Sequence, residues 1–479
     1  MKKANIINAL LIAIGAFTLP GVAQAASLLE IYQQALQSDP QIHEAEARRL
    51  AALEAKPQAR SVLLPQISAS GDWTKLDASG SSFEPSIGDS VTFDQDTDGP
   101  TWNFELRQTL FRWDQIVGLR QADKFVARAE ALRESAQQDL IVRVAQRYFD
   151  VLAAEDRLTS IHADRTAIAR QLEQAKQRFE VGLIAITDVQ ESQAAYDNSI
   201  ANEIAAKRSL ATAREFLREI TGEHVPPLSA PGENFPLITP TPNDEGSWVD
   251  LAMSQNLQLI ASRLDEQIAR DEIAFRRTGH YPTLDLVART GEQKSKGDAT
   301  TAGGPLPPSM SEIDTTRELD TISIQLNVPI FTGGGTSSRV REAVYLHRAS
   351  REQLQRVTRE TERQARDAYL GVISERSRVK ALNQAVASNR TALEATEAGF
   401  EVGTRTIVDV LNSQFSLYLA ITNYYASRYD YVLNALRLKQ AAGNLAVQDL
   451  ERIDRSLIER KTPEQAIAEE EAAAATPEP

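Results

Sequence analysis

Residues 119–181 contain neither Gly nor Pro. Gly182 interrupts, and residues 183–221 are again free of both until Gly222. The pattern recurs. Residues 336–398 carry only Gly371, Gly399 and Gly403 bracket the interruption, and 404–442 run free to Gly443. Gly and Pro punctuate secondary structure, so each half of the chain predicts a long helix, a glycine reversal and a returning helix. A run of 63 residues reaches roughly 95 Å at 1.5 Å per residue, far more than a compact domain needs.

The reversals are copies of one another. Residues 179–193 read Phe-Glu-Val-Gly-Leu-Ile-Ala-Ile-Thr-Asp-Val-Gln-Glu-Ser-Gln, and residues 400–414 read Phe-Glu-Val-Gly-Thr-Arg-Thr-Ile-Val-Asp-Val-Leu-Asn-Ser-Gln. At an offset of 221, nine of fifteen positions are identical, which marks an internal duplication.

The N-terminus reads as a secretory signal. Lys2 and Lys3 precede an apolar core from Ile6 to Leu19, and Ala23-Gln24-Ala25 offers a small-x-small site with cleavage after Ala25. There is no Cys, which excludes disulfides, thiolate metal sites and a lipid-bearing Cys. The net charge of −14 argues against nucleic acid, which selects a basic face. Only 6% of residues are aromatic, closer to a helical bundle than to a large enzyme core. No stretch of about 18 apolar residues follows the signal. If the mature chain enters a membrane, it does so as a closed β-barrel, the other fold that satisfies every backbone polar group in lipid.

In chain order, residues 28–60 read as a helix broken at Asp39-Pro40. From Gln66, Ile67, Ala69, Gly71 and Trp73 alternate with polar residues. Trp102, Phe104, Leu106 and Leu110 then alternate with Asn103, Glu105, Arg107 and Thr109. Residues 77–99 between them, rich in Gly, Ser and Asp, read as a loop. The order repeats after 247: a helix to about 279, a strand at Leu284, Leu286 and Ala288, a loop over about 291–316, and a strand at Ile322, Ile324, Leu326, Val328 and Ile330. Such alternation is the signature of membrane strands, or of any half-exposed strand. Trp73 and Trp102 suit an aromatic girdle or ordinary strand-face packing.

The predicted organisation is a signal over 1–25, a first repeat over 26–222 with strands near 64–112, and a linker over 223–246. A second repeat follows over 247–443, with strands near 282–331, then a segment over 444–462. The acidic tail over 463–479 is read as disordered. The strand loops are expected at one end of the molecule and the glycine turns at the other. Four strands cannot close a membrane barrel, whose smallest form has about eight, and open edges are forbidden in lipid. Copies must therefore share their strands. Two copies would give a filled eight-stranded barrel; three give twelve strands and a lumen.

The stretches Val181-Gly182-Leu183-Ile184-Ala185-Ile186-Thr187-Asp188-Val189-Gln190, Gly279-His280-Tyr281-Pro282-Thr283-Leu284-Asp285-Leu286 and Gly403-Thr404-Arg405-Thr406-Ile407-Val408-Asp409-Val410-Leu411 resemble the TolC family, the efflux ducts of the Gram-negative outer membrane. The resemblance covers the mature chain except the tail. It implies an α+β fold in which a long helical coiled-coil α-barrel joins a transmembrane β-barrel, with four strands per chain and twelve in a homotrimer. It implies a duct without chemistry or cofactor. Such a duct works with a periplasmic adaptor and an inner-membrane pump of the RND, ABC or MFS type, in drug efflux or type I protein secretion.

The resemblance also places a gate at the periplasmic turns, Gly182 and Gly403. Carried over position by position, Arg405 would reach Thr187 on a neighbouring helix pair, and Asp409 would form a ring on the threefold axis. The alternative is that Asp409 and Asp188 are polar residues of a first helical turn, stabilised by the helix N-terminus. The chain departs from the family pattern twice. Phe400 stands where the family has a tyrosine and has no hydroxyl for Asp188. Asn412 replaces a second aspartate ring. A looser, less cation-binding closed state is the expectation.

The five His residues are scattered without metal-ligand spacing, and neither a phosphate-cradling Gly loop nor a nucleophile motif is present. The rival reading is a secreted coiled-coil adaptor or filament, which accounts for the rods and the signal but not for paired strands placed twice before a long helix.

Overall fold

A computed structural model describes residues 25–475 apart from 233–234 and 304–305. The predicted signal lies outside the described residues, which begin at Ala25. The chain starts with α1 (Leu28–Ser38), α2 (Pro40–Leu53) and α3 (Ala55–Ser61), then β1 (Gln66–Glu84) and β2 (Asp89–Phe111). The long α4 (Trp113–Glu180) and returning α5 (Ile186–Thr221) follow, then the short β3 (Ala230–Pro231), α6 (Glu245–Gln255) and α7 (Leu257–Arg277). The second half continues with β4 (Thr283–Gly303), β5 (Leu306–Asn327), α8 (Gly335–Glu401) and α9 (Ile407–Ala442). It ends with α10 (Val447–Asp454), β6 (Leu457–Ile458) and α11 (Pro463–Ala475). The 68 residues of α4 and the 67 of α8 correspond to roughly 100 Å each. Gly399 lies inside α8 rather than at its end, so Gly403 alone breaks the helix. None of the described helices is long and apolar enough to cross a membrane.

The chain divides into two compact units, and each takes segments from both repeats. One comprises residues up to 43, 136–256 and from 361 on; the other comprises 44–135 and 257–360.

The second unit is built around a four-stranded antiparallel sheet in the order β1-β2-β4-β5. Register places Ile67 opposite Leu106, Leu106 opposite Ala288 and Ala288 opposite Ile322. One face therefore carries an apolar row across all four strands. It is uncovered: Ile67 is 73% exposed, Ile322 81% and Ile324 67%. The opposite face is charged. Glu105 accepts from Arg107 (3.0 Å) and from Arg289 (2.7 Å), and Arg112 binds Asp285 (2.6 Å). Most of the described residues in the expected loops over 77–99 and 291–316 are instead ladder, with a turn at 85–88. β1 and β2 pair from Gln66↔Arg107 to Glu84↔Asp89, and β4 pairs with β5 as far as Gly303↔Leu306. Backbone bonds are indifferent to the polar side chains there. Gly99 and Gly297 mark close approach rather than turns, because a Cβ on either would lie 1.9 Å from a carbonyl oxygen of the neighbouring strand.

The first unit buries a core from α1, α4, α5, α6, α8 and α9. Tyr148, Phe149 and Tyr429 sit at its centre, with Phe149 stacked on Tyr429 at 5.4 Å. Beside them the Tyr429 hydroxyl donates to Asp156 (2.5 Å), which also pairs with Arg460. Arg214 joins Glu155 (3.0 Å) to Glu464 (2.7 Å). Burial pushes the Glu155 carboxyl above the usual carboxylate range and the Tyr429 phenol well above its own. This network corrects the reading of the tail as disordered. Residues 463–475 form α11, started by Thr462, whose hydroxyl accepts from the Gln465 N–H (3.3 Å) while its own N–H donates to the Gln465 side chain (3.1 Å). Arg214 then fixes its first turn through Glu464. Residues 476–479 lie outside the described residues.

Candidate functional site

Both glycine turns belong to the first, helix-rich unit. At the first, the Gly182 N–H donates to the Phe179 carbonyl (2.9 Å) and the Leu183 N–H to that of Arg178 (2.8 Å). At the second, the Gly403 N–H donates to the Phe400 carbonyl (3.1 Å), while the Thr404 N–H (2.8 Å) and hydroxyl (3.0 Å) both donate to Gly399. Gly182 and Gly403 each adopt φ 76°, the left-handed conformation that closes helix ends and that a side chain disfavours.

The helices that leave the turns begin differently. Ala185, the N-cap of α5, has no side-chain bond to offer. The first turn is held instead by apolar packing, with Ile184 and Tyr196 against the cluster of Leu172, Ala175 and Val189. The N-cap of α9 is Thr406, and Asp409 completes a capping box with it. The Asp409 N–H donates to the Thr406 hydroxyl oxygen (3.3 Å), and the Asp409 carboxylate accepts from the Thr406 N–H and hydroxyl (2.9 Å each). The Thr406 backbone N–H chiefly, with its hydroxyl and the Arg405 charge, holds the Asp409 carboxyl below the usual range, so it is ionised at neutral pH. Within one chain Asp409 is therefore the first-turn capping residue of the alternative reading.

The remaining predicted residues lie around these turns. Thr187 is exposed and Asp188 sits in the first turn of α5. Arg405 is exposed, and its aliphatic stem crosses Gly399, where a Cβ would fall 2.7 Å from Arg405 Cγ. Among the described residues no hydrogen bond or ion pair joins Arg405 to Thr187 or Asp188. Asn412 is exposed, and its carbonyl accepts from the Ser416 hydroxyl (2.8 Å). Phe400 has a partner that sequence reasoning missed: the Arg178 guanidinium lies over its ring at 5.0 Å. Higher up, the buried Gln414 amide donates to the Asp164 backbone carbonyl and to its carboxylate (3.2 Å each). Burial raises the Asp164 carboxyl, and the Gln414 bond opposes that rise. Thr406 was legible as a Thr-x-x-Asp start signal. Arg178 and Gln414 carry no local signal, since their partners are more than 200 residues away. No cluster of His, Asp and Glu able to hold a metal occurs among the described residues.

A sheet with one uncovered apolar face and one charged face, on a chain with helices of 68 and 67 residues, defines a wall segment of a membrane β-barrel assembly. The sequence matches the family described as outer membrane efflux protein over residues 31–223 and 248–444, one match in each repeat. It is 37% identical to outer membrane protein TolC of Vibrio cholerae over 90% of this chain and 94% of that protein. Against TolC of Escherichia coli the identity is 36%, over 91% and 86%. The alkaline protease secretion protein AprF of Pseudomonas aeruginosa is 29% identical over 92% and 89%. Among solved structures, the outer membrane protein VceC of Vibrio cholerae shares the fold with a TM-score of 0.67 at 19% identity, over 87% of this chain and 96% of that one. The CmeC outer membrane channel of Campylobacter jejuni gives 0.68 at 15%, over 98% and 97%.

The chain belongs to the outer membrane efflux protein family. It is an efflux channel of the Gram-negative outer membrane, not the secreted coiled-coil protein of the rival reading.

Proposed function

We propose that three copies of this chain close a twelve-stranded barrel in the outer membrane and a helical tunnel in the periplasm. One observation carries the reading. The sheet order leaves β1 and β5, of 19 and 22 residues, each with one unpaired edge beside an uncovered apolar face. Lipid does not tolerate such edges, and pairing β5 of one copy with β1 of the next removes all of them.

The apolar face has the dimensions of a bilayer. Trp102 sits opposite Glu292, and Tyr281 lies eleven residues before Glu292. Eleven residues span about 36 Å along a strand, or about 28 Å across the membrane at a tilt near 40°. Trp73 and Trp102 mark one rim, and Tyr281 and Phe331, all substantially exposed, mark the other. On α9 the exposed Val408, Phe415 and Leu419 flank Asn412 at helical spacing, an uncovered apolar stripe suited to a neighbouring copy.

At the glycine turns, Arg405 would reach Thr187 of the neighbouring helix pair, and Asp409 would form a threefold carboxylate ring that attracts cations. Phe400 and Asn412 weaken the polar part of this gate. The exposed apolar tips Val181, Leu183 and Val402 suit docking by a periplasmic adaptor, and an inner-membrane pump selects the cargo, whether a small toxic compound or a protein.

The test is purification in detergent, cross-linking and reconstitution into planar bilayers. A trimer with discrete channel conductance, increased by Arg405→Ala and Asp409→Ala, is expected. A monomer in detergent, or a trimer without conductance, would falsify the proposal.

A further inference from the structure

The internal repeat makes one contact conspicuous. At the offset of 221, Phe400 corresponds to Phe179, and Arg178 corresponds to Gly399. The first hairpin therefore supplies a cation, but among the described residues no cation lies over its own Phe179, which is 41% exposed. The second hairpin supplies a half-buried ring, and Gly399, with the Arg405 stem against it, stands where the equivalent cation would be. The unequal halves fit each other. The Arg178 guanidinium, without a carboxylate partner among the described residues, lies 5.0 Å over the Phe400 ring. The Arg178 backbone is fixed there, since its carbonyl accepts the Leu183 N–H that closes the turn.

A second tie repeats the asymmetry. Gln193 and Gln414 are equivalent, yet Gln193 binds Asp197 of its own helix (3.0 Å) while Gln414 crosses to Asp164 (3.2 Å). Asp164 precedes Arg178 by fourteen residues on α4, about 21 Å along the axis. The α8/α9 hairpin is thus bound to α4 twice, once in a buried place by amide hydrogen bonds and once at the exposed tip by a ring face.

We propose that Arg178 and Phe400 form a cation–π clasp that holds the two hairpins of one subunit together at the tip in the closed channel, with Asp164–Gln414 as its fixed anchor. The inference rests on the proposed gate. The clasp takes over the closing role that a hydroxyl at position 400 would have had, so loss of the hydroxyl does not leave the tip untied. A cation–π contact at a partly exposed site corresponds to about a two- to fivefold change in an equilibrium constant per subunit.

Resting conductance of the full-length protein in planar bilayers tests this. Phe400→Ala, Phe400→Leu and Arg178→Ala should each raise the open fraction by that factor per subunit. Arg178→Ala with Phe400→Ala should do no more than either alone. Phe400→Tyr, which keeps the ring, should stay closed. Arg178→Lys, which keeps the helix C-terminal charge, should lie between. Additive single effects, or a Phe400→Leu channel as closed as the unmodified protein, overturn the clasp. If Arg405→Ala and Asp409→Ala open the channel while the Arg178 and Phe400 variants do not, the gate stands and the clasp fails. If none of them moves the conductance, the gate reading itself fails, and the clasp with it.

Discussion

The turns at Gly182 and Gly403 have the same backbone and different fastenings. Their shared residues are those the reversal needs: the glycine with φ 76° in each, and the buried Val189 and Val410 in the helices that follow. They differ where a side chain can close the turn. The first has Ile184 and Ala185, and its hold is an apolar cluster with no side-chain cap. The second has Arg405 and Thr406, and its hold is the Thr406–Asp409 capping box. Duplication preserved the shape of the hairpin and freed its chemistry to diverge. One tip became a packed strut. The other became polar, with charges that a neighbour, a cation or a proton can reach.

Removing the apolar hold should give the largest effect. Leu172 is 5% exposed at the centre of the first cluster, and Leu172→Ala should destabilise that hairpin by about 2–4 kcal/mol. Hydrogen exchange should show faster exchange in the Leu172–Tyr196 region and a smaller change in the 400–414 turn, which reaches α4 through Asp164 and Arg178. Equal acceleration of both tips would mean that they are one cooperative unit and that the contrast is only descriptive.

Exchanging the caps sharpens the comparison. Thr406→Ala deletes the box and should cost about 1 kcal/mol at the start of α9. Ala185→Thr places a Thr three residues before Asp188, recreates the Thr-x-x-Asp spacing and should stabilise α5 by about 0.5–1 kcal/mol. Exchange of the first-turn amides in each helix reads both changes. If Ala185→Thr gains nothing, the apolar packing of Ile184 has fixed the first turn in a geometry that a cap cannot use.

The gross fold was legible because the long helices hold no Pro and few Gly, and because apolar alternation in the strands has a period of two. The extent of the strands was not. Residues 77–99 and 291–316 have loop composition, but outside an apolar environment a β-ladder is held by backbone bonds, and glycines such as Gly99 and Gly297 serve close strand approach as readily as turns. The tail was misjudged for a similar reason. Its acidic composition suggested solvation, whereas Glu464 is the partner that Arg214 requires next to the buried Glu155. At the turns, Asp409 was visible from local spacing. Arg178 over Phe400 and Asp164 against Gln414 were not, because they join the two halves of the duplication, and no local pattern encodes which faces meet.

The smallest expected effect is a proton's. The Thr406 N–H and hydroxyl hold the Asp409 carboxyl below its ordinary value of 3.8. A carboxyl whose folded value is depressed contributes stability that is fully present above the ordinary value and lost as the pH falls through the depressed one. The capping box should therefore be intact from neutral pH down to about 4 and open progressively below that. The first turn, without a side-chain cap, lacks this acid-sensitive fastening. Protection of the Thr406 and Asp409 amides, corrected for intrinsic exchange, should fall between pH 5 and pH 3 while that of the Asp188 amide, bonded to the Ala185 carbonyl at 3.2 Å, does not follow. Asp409→Asn should abolish the difference between the two pH values. If that variant keeps the same acid response, the proton acts elsewhere, and the two turns differ in packing alone.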